Sequence, residues 1–144
     1  MKTECEAASA VKSVMESVPE VDVRVCRRAV PGQTVLHQGD VYLHCVESSH
    51  ARGAETGQRQ VAVGTTVGSR HVATGPVKVY EGASLPDYMT PARDVPVEAY
   101  LGPVVEASDE WVLEHPEHAD HRCPAGVWQV TYQVDPVEQR RVLD

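Results

Sequence analysis

The chain has 144 residues, 42% of them hydrophobic and 24% charged, with a net charge of −8. These values suit an ordinary globular domain and not a disordered one. Its apolar runs fall short of the roughly 18–20 residues that cross a bilayer, and Met1-Lys2-Thr3-Glu4-Cys5-Glu6 lacks the apolar core of a secretory signal. Transmembrane, secreted, collagenous and coiled-coil classes are thereby disfavoured, and a cytoplasmic single domain spanning 1–144 is expected.

There are 26 Val but no Ile, Phe or Asn, and ten Arg against three Lys. The absent types have AT-rich codons, so the bias points to a high-GC genome, that of an actinobacterium or its phage. Valine has taken over the core, and its stiff β-branched side chain favours pleated, half-buried surfaces over helices.

Residues 3–18 read as an N-terminal amphipathic helix. Thr3 and Glu6 form a capping box, Ala7, Ala8, Val11, Val14, Met15 and Val18 share one face, and Pro19 stops it. From residue 21 the period changes to two, which makes 21–144 a β-rich body. Val21, Val23 and Val25 alternate with polar neighbours. Val41, Leu43 and Cys45 alternate with Tyr42, His44 and Val46. A further set is Val61, Val63, Thr65 and Val67, followed by Val77 and Val79. Near the end Trp128, Val130, Tyr132 and Val134 line one face, with Gln129, Thr131 and Gln133 on the other. Short strands between Gly/Pro turns, without helical crossovers, predict a small antiparallel sandwich or barrel and exclude parallel pairing. Residues 48–60 read as a mobile loop, and 83–96, with Pro86, Pro91 and Pro96, as an ordered irregular excursion.

Cys5, Cys26, Cys45 and Cys123 show no Cys-x-x-Cys spacing, so they read as reduced, mostly buried thiols. The charge is local. Residues 81–120 hold ten acids and one base, a net of −9. That stretch repels phosphates, which argues against nucleic acid and membrane surfaces; it reads as a solvated acidic face or as a dock for a basic partner.

The densest chemistry lies in Glu114-His115-Pro116-Glu117-His118-Ala119-Asp120-His121. Imidazoles suit a borderline divalent metal such as Zn or Fe. The carboxylates of Glu114 and Glu117 could serve as further ligands or as acceptors that orient a ring. Pro116 forbids a helix interior, so the two-histidine helical face of a zinc protease is not available. His115, His118 and His121 therefore need a donor from elsewhere, and His71 is the best placed. The alternative is a polar acidic loop with interspersed histidines and no metal. Ser48-Ser49-His50 near Asp40 can be drawn as a hydrolase triad but reads more simply as a loop. His37 and His44, seven apart, would fall on opposite faces of one regular strand, as ordinary strand histidines.

In order, the landmarks Gln38-Gly39-Asp40-Val41-Tyr42-Leu43, Gly68-Ser69-Arg70-His71-Val72, Val77-Lys78-Val79-Tyr80-Glu81, Glu114-His115-Pro116-Glu117-His118 and Pro124-Ala125-Gly126-Val127-Trp128-Gln129-Val130 resemble a family of small uncharacterised bacterial and phage proteins. That family carries Gly-Asp-Val, Gly-His-x-His, His-x-Glu-His and Pro-x-Gly-x-Tyr-x-Val motifs, and Arg140-Arg141-Val142-Leu143-Asp144 resembles its ending. The resemblance spans 33–144 and implies a fold and a site but no activity. Ser69 stands where the family pattern has its first histidine. A metal centre of those histidines would here lack one ligand, replaced by His121 or Cys123, or the centre is lost. Trp128 replaces the usual Tyr, keeping bulk and a polar handle. Pro124-Ala125-Gly126 also resembles part of the second cupin motif, but the histidines precede it, so cupins enter as a fold analogy alone.

Nucleotide-binding loops, nucleophile elbows and basic nucleic-acid stripes are absent from the sequence. Three readings follow. The first is a non-catalytic binding or interaction protein with a histidine metal site, joined to a protein partner or to a second copy of itself. The second is a cupin-like metal-dependent enzyme. The third is a structural or inhibitor protein that docks a basic partner on its acidic stretch.

Overall fold

The computed structural model describes residues 5–7, 23–63, 70–135 and 140–141. Its strands are β1 Cys5–Ala7, β2 Val23–Cys26, β3 Val35–Gln38, β4 Val41–Val46, β5 Arg52–Glu55, β6 Gln60–Val63 and β7 Arg70–Thr74. They continue as β8 Val77–Gly82, β9 Leu101–Ala107, β10 Trp111–Glu114, β11 Asp120–Cys123, β12 Gly126–Tyr132, β13 Val134–Asp135 and β14 Arg140–Arg141. Two six-stranded sheets run in the orders β1-β2-β11-β10-β7-β6 and β3-β4-β12-β9-β8-β5, with β13-β14 as a small separate pair. The protein is mainly β, as expected, and neither sheet closes into a barrel.

The alternating pattern places the inward residues. Val41, Leu43 and Cys45 on β4 and Trp128 and Val130 on β12 join Ala73, Trp111, Leu113 and Cys123 of the other sheet in one core cluster. Leu43 pairs with Val130, and Cys45 with Trp128, across β4 and β12. Opposed residues share a face, so matching periods on the two strands produce one apolar surface. Trp111 and Trp128 meet edge to face, 6.2 Å between ring centroids, and stitch the two sheets together. The outer face of β4 and β12 is covered as well: His44, Val46, Gln129 and Thr131 are all buried.

Several expectations need correcting. The helix expected over 3–18 is not found: Cys5–Ala7 pairs with β2 as an antiparallel strand, and the rest of that segment lies outside the described residues. Backbone pairing along a sheet edge has overridden a local capping signal. The parallel pairing that was excluded does occur between β2 and β11. It needs no helical crossover because the intervening chain passes through the opposite sheet before returning. The loop expected at 48–60 contains β5, an edge strand on β8. Thr65 and Val67 of the predicted third set lie outside the described residues, where β6 ends at Val63. The excursion at 83–96 is irregular as predicted and leads into a short 3-10 turn at Val97–Ala99. Cys26, Cys45 and Cys123 are buried thiols outside any disulfide. Among the described residues no helix is long and apolar enough to cross a membrane.

Candidate metal centre

The site begins with register. On β10 and β7, Val112 pairs with Thr74, Leu113 with Ala73 and Glu114 with Val72. One more step along that ladder sets His115 against His71. Both histidines are buried, and their ring centroids are 4.4 Å apart. Pro116 cannot donate to the ladder, so the chain leaves the sheet at this point. Residues 116–118 bend, and the chain re-enters the sheet as β11. The bend folds His118 back over His115, again at 4.4 Å, and leaves it 6.2 Å from His71 with the two rings nearly parallel.

The other wall comes from the second sheet. A tight turn at Gly39, whose φ is 58°, joins β3 to β4 and buries Gln38 and Asp40 at its corner. Asp40 Oδ1 lies 3.3 Å from His71 Nε2. The amide of Gln38 is oriented by its own bonds. Its Nε2 donates to the carbonyls of Leu113 (2.9 Å) and Ala119 (2.7 Å), one on each limb of the histidine bend. Its Oε1 is thereby left to accept from His71 Nδ1 at 2.8 Å. His71 thus directs Nε2 at the Asp40 carboxylate. A lone pair facing a carboxylate oxygen is unfavourable unless a positive charge, proton or metal, stands between them.

Of the residues singled out in the sequence, His71, His115 and His118 are brought together. His121 is buried on β11 opposite Leu113. Burial pushes its imidazole down to about 4, with the charges of Arg24 and His37 adding to that effect and a hydrogen bond with the His37 backbone opposing it. Its neighbours are thus Arg24 and His37. Cys123 lies in the shared core, opposite Trp111. Glu114 and Glu117 are exposed, and what Glu117 gives the cluster is its backbone N–H, donated to His115 Nδ1 at 2.9 Å. The carboxylate facing His71 is Asp40. The Gln38-Gly39-Asp40 landmark carried the signal for it, since a Gly-Asp turn is where two strands deliver side chains to one corner.

The triad drawn from Ser48, Ser49, His50 and Asp40 does not assemble. His50 Nε2 contacts Gln129 Oε1 (2.9 Å) and the Ser84 carbonyl (3.1 Å), while Asp40 faces His71. His37 and His44 stand on separate strands with Val35–His44 and His37–Tyr42 in register, so the Gly39 turn puts them on the same outer face. His44 is fully engaged, Nδ1 with the Tyr88 hydroxyl (3.0 Å) and Nε2 with Thr131 Oγ1 (2.8 Å). The acids of 81–120 are divided between the sheets: Glu106 lies on β9 beside Arg52, and Glu110 precedes β10 beside Arg122.

A family model described as a domain of unknown function, DUF8820, matches residues 37–133. The chain belongs to that family. The matched span runs from β3 through β12 and contains Asp40, His71, His115 and His118, so the whole cluster falls within the DUF8820 domain. No curated protein and no solved structure matches the chain.

Two donor atoms bound to one metal at about 2.0–2.1 Å and a tetrahedral angle lie roughly 3.3 Å apart, which is the Asp40–His71 separation. Imidazoles sharing such a metal have centroids about 5 Å apart by the same geometry, within the 4.4–6.2 Å spread of the three rings. Among the described residues, no three side chains stand ready-made around a single metal position. His115 shows why. Its Nδ1 accepts from Glu117 N–H, so its neutral ring carries the proton on Nε2. Ligation through Nε2 requires that proton to move and the Glu117 amide to let go.

Proposed function

We propose that this DUF8820 chain is a cytoplasmic, non-catalytic binding protein whose body is locked by one divalent transition metal, Zn or Fe, at His71, His115, His118 and Asp40. The observation that carries the reading is a run of three neighbouring imidazoles, His71, His115 and His118, the first of which meets a buried carboxylate delivered from the opposite sheet. Asp40, His71 and His115 are buried, and a cation held between their donor atoms offsets the cost of taking those groups out of water. Four protein donors close a tetrahedral shell, the pattern of structural sites; catalytic sites keep a position open for water or substrate. Asp40 takes the place for which His121 and Cys123 were considered.

A metal here staples the β3–β4 corner to β7 and to the bend between β10 and β11. The reading does not draw on the acidic stretch, since its carboxylates are split between two sheets. A partner protein or a second copy is left to the surface outside the site.

Native mass spectrometry with elemental analysis of untagged protein tests this. One zinc or iron per chain is expected, lost in His71→Ala. Wild-type protein that takes up no metal when zinc is supplied, with His71→Ala equally stable, overturns it.

A further inference from the structure

We infer that Gln38 is a positioning residue for this site: its amide selects the tautomer of His71 that presents Nε2 to the metal. The inference rests on the metal reading above. A ligating imidazole binds through one nitrogen and must keep its proton on the other, so whatever accepts that second proton decides which nitrogen faces the metal. An amide can do this only if its own orientation is settled, because its oxygen and nitrogen ends have nearly the same shape. The orientation of Gln38 is settled by two carbonyls. Leu113 and Ala119 both require a donor, which turns Oε1 toward His71 Nδ1. An amide turned the other way would leave two buried carbonyls against an oxygen and would offer His71 Nδ1 a donor, which favours the opposite tautomer.

The position of Gln38 makes this device specific. It is buried, it belongs to the sheet that carries Asp40, and its two donations hold opposite limbs of the bend that carries His115 and His118. One side chain therefore sets the nitrogen of one ligand and the backbone frame of two more. A purely structural clamp would need only the two donations. The acceptor half of the amide faces the ring nitrogen whose proton decides the His71 tautomer.

Two substitutions separate these halves. Gln38→Leu removes both, whereas Gln38→Glu keeps an acceptor for His71 Nδ1–H and abolishes donation to Leu113 and Ala119. Zinc affinity is measured by chelator competition. The His71 tautomer is read in the zinc-loaded protein by long-range proton–nitrogen NMR, and folding is checked by near-UV circular dichroism. Gln38→Leu is expected to weaken zinc binding about 10- to 100-fold, the usual cost of losing a partner behind a ligating histidine. Gln38→Glu is expected to keep the Nδ1–H tautomer and to bind at least five times more tightly than Gln38→Leu. Equal weakening in both variants, or Gln38→Leu binding as well as wild type, overturns the role of Gln38 while leaving the metal site standing. A wild-type protein that binds no zinc overturns the site itself, and the two failures are told apart by the wild-type curve.

Discussion

Asp40 Oδ1 lies 3.3 Å from His71 Nε2, although Asp40 stands at the corner between two strands of one sheet and His71 on a strand of the other. Both side chains are almost wholly buried, at 1% and 0% exposure. Apolar contacts such as those of the shared core cluster tolerate sliding. A charged contact at one end does not, so the pair fixes how the corner of one sheet meets the neighbouring strand.

The metal reading divides the histidines. His118→Ala and Asp40→Asn are expected to lower zinc affinity at least tenfold, because each removes a donor. His121→Ala and Cys123→Ser are expected to leave it within about threefold of wild type, since those side chains face Arg24, His37 and the core. Isothermal titration with zinc decides between the two groups, and loss of binding in His121→Ala would redraw the site.

Acid should destabilise the metal-free protein through histidines outside the cluster. Burial pushes His44 down to about 4, and His121 lies at about the same value. A histidine whose folded pKa is depressed takes up its proton more readily when unfolded. Stability is therefore level above about pH 6.5 and falls as pH drops from there toward 4, by on the order of 2 kcal/mol for each buried ring. Urea midpoints at pH 7.5 and 4.5, in the presence of chelator, should show a smaller acid loss for His44→Gln than for wild type. Identical losses would mean that His44 protonates as readily in the folded chain.

Gly82 and Gly102 should be intolerant for steric reasons. A Cβ at Gly82 would overlap the carbonyl oxygen of Gly102, and one at Gly102 would press on Val130 Cγ1 at 2.8 Å and its carbonyl oxygen at 2.9 Å. Backbone cannot step aside as a flexible side chain can, so Gly82→Ala is expected to cost about 2–3 kcal/mol. Gly53→Ala meets mainly the side chain of Glu81 and should cost less than half as much. Chemical denaturation of the two variants checks the ratio.

The central strands are legible in the sequence. Alternation at Val41-Leu43-Cys45 and at Trp128-Val130 is a direct imprint of the two-residue pleat, and both sets face the core. β9 escaped notice because Val104 and Val105, adjacent in sequence, are both buried. A strand covered on both faces has no alternation to read. At Cys5–Ala7 the capping signal misleads for the opposite reason: capping residues and spacing are local preferences, and these three residues follow their pairing with β2 instead.

By itself, the sequence determined the β class, the inward faces of the long strands, the absence of a disulfide framework and the supply of histidines at 71, 115 and 118. These are local properties, set by side-chain chemistry and by the period of the backbone. Only the tertiary structure decided which carboxylate joins them, that Gln38 stands behind His71, and that His121 belongs elsewhere. Those choices depend on the Gly39 corner of one sheet meeting the Pro116 bend of the other across 75 to 81 residues of chain. Nothing in the spacing of the residues encodes that meeting, because long-range register follows from packing the two sheets around a common core.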